Sequence, residues 1–370
     1  MRNAGRFLII WIVLCLFTGF LTSCKTEQEI GTADSKTDSE DAISTTATID
    51  QTPENPKNTI DIYLVAGQSN AVGHTRVSDR EDAYLFAPEL ENGYSNVLIS
   101  GELRWSDAGN PQGFSRRPLY WQKTTLGLGK SNTSYFGPEA GMAKALSAYY
   151  NEESGRTAGI IKYGHGGTNL LNVTTGSSAY GNWVSPSYAA YLNVEYDGAT
   201  GGLYREFLDV VIYQLKSLSK YGFDDFNIKG LYWMQGENDR TSPSAYETAF
   251  HYFAQDIRSD LSERVKEITG NHDRGASEMP IFIGTISETF DSASESSVAI
   301  NRSFINMQKG LPNSRNNYII VDNSKFAMNQ IVEGSSKAVG SDNYHWNQMD
   351  HLVIGSNVGK AVLEYYHYDS

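Results

Sequence analysis

Four short segments of this chain hold the residue types that acyl-transfer chemistry requires. The first, LVAGQSNAVGH (Leu64 to His74), ends a β-rich run on Gly67, Gln68, Ser69 and Asn70. A serine just past a strand and at a helix start has an exposed hydroxyl, and a helix N-terminus favours nearby negative charge. Ser69 is therefore a candidate nucleophile; its ordinary alternative is a helix N-cap. The last segment, GSDNYHWNQMDH (Gly340 to His351), sets Asp342 and His345 three apart. A general base needs a partner that fixes its tautomer, and D-x-x-H supplies both from one segment. Asp350 and His351 form a rival pair, although an Asp at a helix start is ordinarily a cap. The four side chains together also admit a metal-site reading, with no H-E-x-x-H-like spacing behind it.

The two middle segments offer donors for a developing oxyanion. In IKYGHGGTNL (Ile161 to Leu170), glycines after a strand let the backbone approach a ligand closely, so Gly166 or Gly167 could donate an N–H. A plain tight turn is the alternative, and His165 reads as a wall residue rather than a base. In LYWMQGEND (Leu231 to Asp239), the Gln235 amide could point at developing charge. Glu237 and Asp239 read as loop caps or supports, as do Gln68 and Asn70 beside the serine.

These segments need a scaffold that gathers strand ends. Strand-like runs at Ile60–Ala66, Ala158–Tyr163, Ile228–Met234, Ile281–Ile286 and Tyr318–Val321 alternate with helix-like ones. The helical runs are Gly137–Tyr149, Leu203–Leu218, Ala245–Leu261, Ser297–Leu311 and Asp350–Tyr366. Such alternation predicts an α/β fold with a parallel sheet covered on both faces, and sites at the carboxyl ends of its strands. Arg76–Tyr135 and Leu170–Gly202 fit the rhythm poorly and read as insertions that shape a cleft. Asp342 and His345 read as lying on a loop before the final helix.

Taken together, the four motifs resemble the SGNH-hydrolase superfamily, and within it the sialate O-acetylesterase-like group and carbohydrate esterase family 6. GQSN corresponds to the nucleophile block, GHGGTNL to the glycine block, WMQGEND to the third block and DNYH to the Asp-His block. FGPEAGMAKAL and INMQKGL resemble the same group, and the likeness runs over roughly residues 60 to 365. The resemblance implies a three-layer α/β/α sandwich of flavodoxin-like type, no metal or other cofactor, and glycan O-acetyl esters as substrates. It assigns catalysis to Ser69, His345 and Asp342, and the oxyanion to Ser69, Gly166 or Gly167, and Gln235. Gln235 stands where most of the superfamily carries an Asn. Two other readings are a non-catalytic glycan-binding lipoprotein on the same fold and an esterase for non-sugar esters.

The bulk properties place this domain outside the cytoplasm. Arg2 and Arg6 precede an uncharged apolar run, Phe7 to Leu21, and LTSC then ends on Cys24. That order reads as a lipoprotein signal (residues 1–23) with lipidation of Cys24, and Lys25 rather than an Asp after it resembles bacterial sorting signals, which implies the outer membrane. Residues 24–57 are rich in Ser, Thr, Asp and Glu without aromatics and read as a flexible tether. Residues 58–370 form the expected esterase domain. The chain has 2 cysteines, Cys15 inside the signal and Cys24, so no disulfide or thiolate chemistry is expected of the mature protein. A net charge of -13 argues against nucleic acid as a partner.

Overall fold

Strand β1 (Thr59–Gly67) is buried at nearly every position, as a strand covered on both faces must be. In the computed structural model, its Ile60, Ile62, Leu64 and Ala66 face one apolar core, while Tyr63 and Val65 face another. The description covers residues 58–106, 114–171, 181–291, 294–312, 316–331 and 341–368. The export segment, Cys24 and the whole of the tether lie outside these residues.

The elements follow in order: α1 (Ser69–Val72), β2 (Thr75–Arg76), α2 (Arg80–Phe86), β3 (Tyr94–Ser106), β4 (Phe114–Thr124), β5 (Tyr135–Phe136) and α3 (Glu139–Leu146). Then come β6 (Thr157–His165), α4 (Pro186–Leu192), α5 (Gly202–Ser217), β7 (Asp225–Met234), α6 (Pro243–Thr269) and β8 (Ile281–Gly284). The chain closes with α7 (Glu295–Gly310), β9 (Tyr318–Val321), β10 (Met328–Ile331), β11 (Ser341–Trp346) and α8 (Gln348–Tyr365).

Seven strands form one sheet in the order β4-β3-β6-β1-β7-β8-β9. All of its pairings are parallel except β3 with β4. Helices α4 to α7 cover one face and α1, α3 and α8 the other, which makes the three-layer α/β/α sandwich. From β6 to β9 the parallel strands run second, first, third, fourth, fifth in chain order. This is the flavodoxin-like doubly wound order, and its direction of growth switches between β1 and β7. A cleft outside the carboxyl ends is expected there, and β1 and β7 end on the segments that carry Ser69 and Gln235.

Two local features differ from the sequence expectation. The middle of Arg76–Tyr135 is no cleft insertion: β3 and β4 form an antiparallel hairpin that widens the sheet beyond β6. Val97, Ile99 and Leu103 alternate inward, but Gly101 and the polar residues of an edge pair dilute the period. The Asp342–His345 segment is a strand rather than a loop, β11, paired antiparallel with β10. Helix α8, which follows this strand, crosses α3 closely. A Cβ on Gly141 would stand 2.0 Å from the Leu352 carbonyl oxygen, and one on Gly355 2.2 Å from that of Pro138. Only glycine permits backbones to approach so closely.

Candidate active site

The turn after β1 is built by contact with β7. Gly67 has φ +143°, and a Cβ there would lie 2.0 Å from the Met234 carbonyl oxygen. That oxygen accepts the Gln68 N–H at 3.0 Å. The chain therefore turns sharply at the switch point, and Ser69 becomes the first residue of α1. The helix is a single turn closed by Gly73, so few peptide dipoles add up. What the turn offers a ligand is a backbone donor: the Ser69 N–H has no acceptor among the described residues.

The base segment reaches this turn through Asn70. Its Nδ2 donates to Glu237 Oε1 at 2.7 Å and to the Tyr344 carbonyl at 3.4 Å. On β11, His345 Nδ1 lies 2.6 Å from Asp342 Oδ2, and the Tyr344 N–H donates to Asp342 Oδ1 at 2.8 Å. Burial opposes ionisation of Asp342, but the His345 bond and charge and the Tyr344 N–H outweigh it and hold its carboxyl below the usual range. The imidazole is thereby fixed with Nδ1 toward the carboxylate, leaving Nε2 for proton transfer. The His345 ring also packs 4.8 Å from the ring of His74, tilted by 32°. A Cβ on Gly166 would stand 3.3 Å from the His74 ring and 3.6 Å from Ser69 Cβ. Ser69, His74, Gly166 and His345 thus form one continuous cluster.

The two glycines divide their roles. The Gly166 N–H donates to the Arg104 carbonyl at 3.2 Å, which ties the glycine block to β3. Gly167, at φ +71°, is exposed, and its N–H has no acceptor among the described residues. Gln235 is fully buried, and its Nε2 donates to Asp239 Oδ2 at 2.7 Å and to the Thr168 carbonyl at 3.1 Å. Both of its N–H groups therefore point at protein acceptors, and Gln235 braces the glycine block against the third block. Asp239 completes that brace by accepting the Leu170 N–H at 2.7 Å and Asn169 Nδ2 at 3.0 Å. Glu237 supports the serine turn through Asn70, and burial pushes its carboxyl up to about 6.

Three other histidines near the site, His74, His165 and His351, are buried. His351 lies on α8 with Nδ1 2.6 Å from Thr75 Oγ1 and its ring against Phe136 and Trp346. Its neighbour Asp350 is held by Asn347 Nδ2 at 2.7 Å. Asp342 and His345 thus hold each other while Asp350 and His351 have partners elsewhere, and among the described residues no three His, Cys, Asp or Glu side chains converge. His165 sits in the wall beside Gly166. Sequence reasoning gave His74 no role. It lies one turn past the serine, and only the fold reveals that it faces His345.

These imidazoles carry a consequence for stability. Burial lowers His351 to about 3 and His165 to about 4, and it takes His74 well below its ordinary 6.5. The unfolded chain therefore takes up protons from about pH 6.5 downward while the folded chain does not, so stability falls as pH falls. By pH 5 His351 and His165 each cost about 2 kcal/mol, and His74 acts in the same direction. Glu237 has the opposite sign. Its folded form is protonated first and returns about 1 kcal/mol by pH 5. The net expected loss from His351, His165 and Glu237 is on the order of 3 kcal/mol between pH 7 and pH 5, and His74 adds to it. Urea unfolding at the two pH values measures it, and equal midpoints would refute the assignment of neutral buried imidazoles.

Known proteins offer three kinds of comparison. No curated protein matches the chain. Among solved structures, a protein from Arabidopsis thaliana aligns at 19% identity over 84% of this chain and 99% of its own, with a TM-score of 0.43. A carbohydrate acetylesterase from Xanthomonas citri aligns at 14% over 84% of this chain and 57% of its own, with a TM-score of 0.43. One from Sinorhizobium meliloti aligns at 10% over 83% and 99%, with a TM-score of 0.35. Such distant likenesses carry neither site residues nor substrate over to this chain. A family model described as "Carbohydrate esterase, sialic acid-specific acetylesterase" matches residues 59–364, and the chain belongs to that family of carboxylic ester hydrolases.

Proposed function

We propose that the protein removes O-acetyl groups from carbohydrates by a double displacement on Ser69. Ser69 Oγ attacks the acetyl carbonyl while His345 Nε2 takes its proton, and Asp342 stabilises the imidazolium. The oxyanion is received by the N–H groups of Ser69 and Gly167, neither of which has an acceptor among the described residues. Gln235 holds the glycine segment that presents Gly167. The C–O bond to the sugar then breaks, and His345 returns its proton to the departing sugar oxygen. Water, deprotonated by the same imidazole, attacks the acetyl-serine; acetate leaves and Ser69 regains its proton. The observation that carries this reading is the 2.6 Å bond between His345 and Asp342 on a strand whose Tyr344 carbonyl accepts from Asn70, the residue after Ser69.

The test is covalent and chemical. A serine-reactive phosphonate is expected to label Ser69 stoichiometrically and to stop acetate release from acetylated glycans. Label on another residue, or inhibition without label, would remove Ser69 from the reaction. The reading includes an exported protein anchored through a lipid on Cys24. Membrane fractionation of the wild type against Cys24→Ala checks that part, and a freely soluble wild type would refute it.

A further inference from the structure

We propose that the surface between β4 and α5 is a binding track for the uncharged glycan chain that bears the ester; this rests on the carbohydrate reading above. A hollow of about 450 Å³ lies there, lined by Glu102, Arg116, Tyr120, Glu206, Asp209 and Tyr213 among others. Tyr120 and Tyr213 are each 64% exposed, so both rings face water beside charged side chains. A second hollow of about 540 Å³ shares Asp209 and Tyr213 with the first and continues to Lys216 and Arg264. Helix α5 advances about 15 Å from Glu206 to Lys216. Two shallow hollows in line, with a tyrosine at their junction, suit an extended chain. A small ligand is instead usually enclosed over most of its surface.

The floor of the track is set before any ligand arrives. Glu102 accepts from Arg104 Nε at 3.0 Å and pairs with Arg116. Glu206 is held by Arg104 and by the Tyr163 hydroxyl at 2.9 Å. These carboxylates and guanidinium groups therefore need little further ordering on binding. The carboxylates of Glu206 and Asp209 and the Arg116 guanidinium match sugar hydroxyls, while the tyrosine faces match the C–H face of a pyranose ring. Glu102, Glu206 and Asp209 outnumber Arg116 in the first hollow, which disfavours an acidic polymer. The floor of the track is bonded to the esterase site through Arg104, which holds Glu102 and Glu206. Arg104 lies opposite His165 in the sheet, and its carbonyl accepts the Gly166 N–H. As the crossover between parallel strands β6 and β7, α5 runs away from the carboxyl ends, so Glu206 is the nearer end and Lys216 the farther.

The experiment compares four substrates: p-nitrophenyl acetate, an acetylated methyl glycoside, acetylated xylan and acetylated glucomannan. The double variant Tyr120→Ala/Tyr213→Ala is expected to raise KM about tenfold for the better of the two polymers. Its kcat, and its rates on the two small esters, stay at the wild-type level. Tyr120→Phe/Tyr213→Phe keeps the ring faces and is expected to keep the wild-type KM. The track is overturned if the alanine pair leaves the polymer KM unchanged, or if the phenylalanine pair raises it as much as alanine does. It is overturned too if the wild type handles neither polymer better than the methyl glycoside. Turnover of p-nitrophenyl acetate with none of the three acetylated glycans would instead remove the carbohydrate reading, and the track with it.

Discussion

His345→Ala is expected to lower kcat by about 10⁴–10⁶-fold while leaving the fold intact, and His351→Ala to leave kcat within a few fold. The two histidines are six residues apart, and their surroundings separate them. His345 is bonded to Asp342 at 2.6 Å on a strand beside the serine turn, with its other nitrogen free to exchange a proton. His351 is fully buried on α8 between Phe136, Trp346 and Thr75, where burial lowers it to about 3. An imidazole that stays neutral down to that pH and cannot reach solvent is a poor proton shuttle. Its loss instead leaves a cavity, at a cost of about 2–4 kcal/mol. Asp342→Asn is expected to cost about 10⁴-fold, because an amide favours the wrong tautomer of His345. Ser69→Ala and Ser69→Ala/His345→Ala are expected to be equally inactive, since the two groups act in one step. Steady-state kinetics with p-nitrophenyl acetate, paired with thermal unfolding of each variant, reads both effects. An active, folded His345→Ala beside an inactive, folded His351→Ala would transfer the base to the rival pair.

The sheet was legible in the sequence because its central strands are covered on both faces and show as continuous apolar runs; β9 falls on the expected Tyr318–Val321. Edge elements were not. The hairpin of β3 and β4 has one half-exposed partner and interrupts the strand-helix rhythm, so its period blends with loop composition. Strand β11 is short, polar and paired only with β10, and nothing in SDNYHW marks it as a strand. At the site, spacing exposed the groups that are local to one segment, such as Asp342 with His345. It could not expose relations between segments. The contact of His74 with His345 spans more than 270 positions, and the bond from Gly166 to Arg104 depends on the hairpin that the pattern concealed. Nor could a motif tell which donors are already in use. Gln235 reads as an oxyanion donor in the sequence, whereas its N–H groups face Asp239 and Thr168 in the fold.

Lys162→Met is expected to destabilise the protein by about 3–5 kcal/mol, a larger loss than any other single substitution discussed for stability. Lys162 on β6 and Glu139 on α3 are both fully buried, with Nζ 2.7 Å from Oε2. Each charge left water to reach this position, and burial dominates the lowered proton affinity of the lysine. Removing one partner leaves the other uncompensated, which is why a single substitution is so costly while a paired apolar replacement often is not. Lys162 has a second task. Its Nζ donates to the carbonyls of Leu128 at 2.9 Å and Val72 at 3.3 Å, and Val72 is the last residue of the turn that begins with Ser69. The ion pair thus anchors the nucleophile turn from beneath. Glu139→Gln is expected to cost less than Lys162→Met, because a lysine with lowered proton affinity can shed its charge and keep one N–H for each carbonyl. Lys162→Met/Glu139→Leu is expected to recover most of the stability but not the activity, since neither new side chain can hold Val72. Urea unfolding of Lys162→Met, Glu139→Leu and their double gives the coupling between the charges, and kcat per folded molecule gives the role of the anchor. A double variant with full wild-type kcat would show that the turn holds Ser69 without the buried lysine.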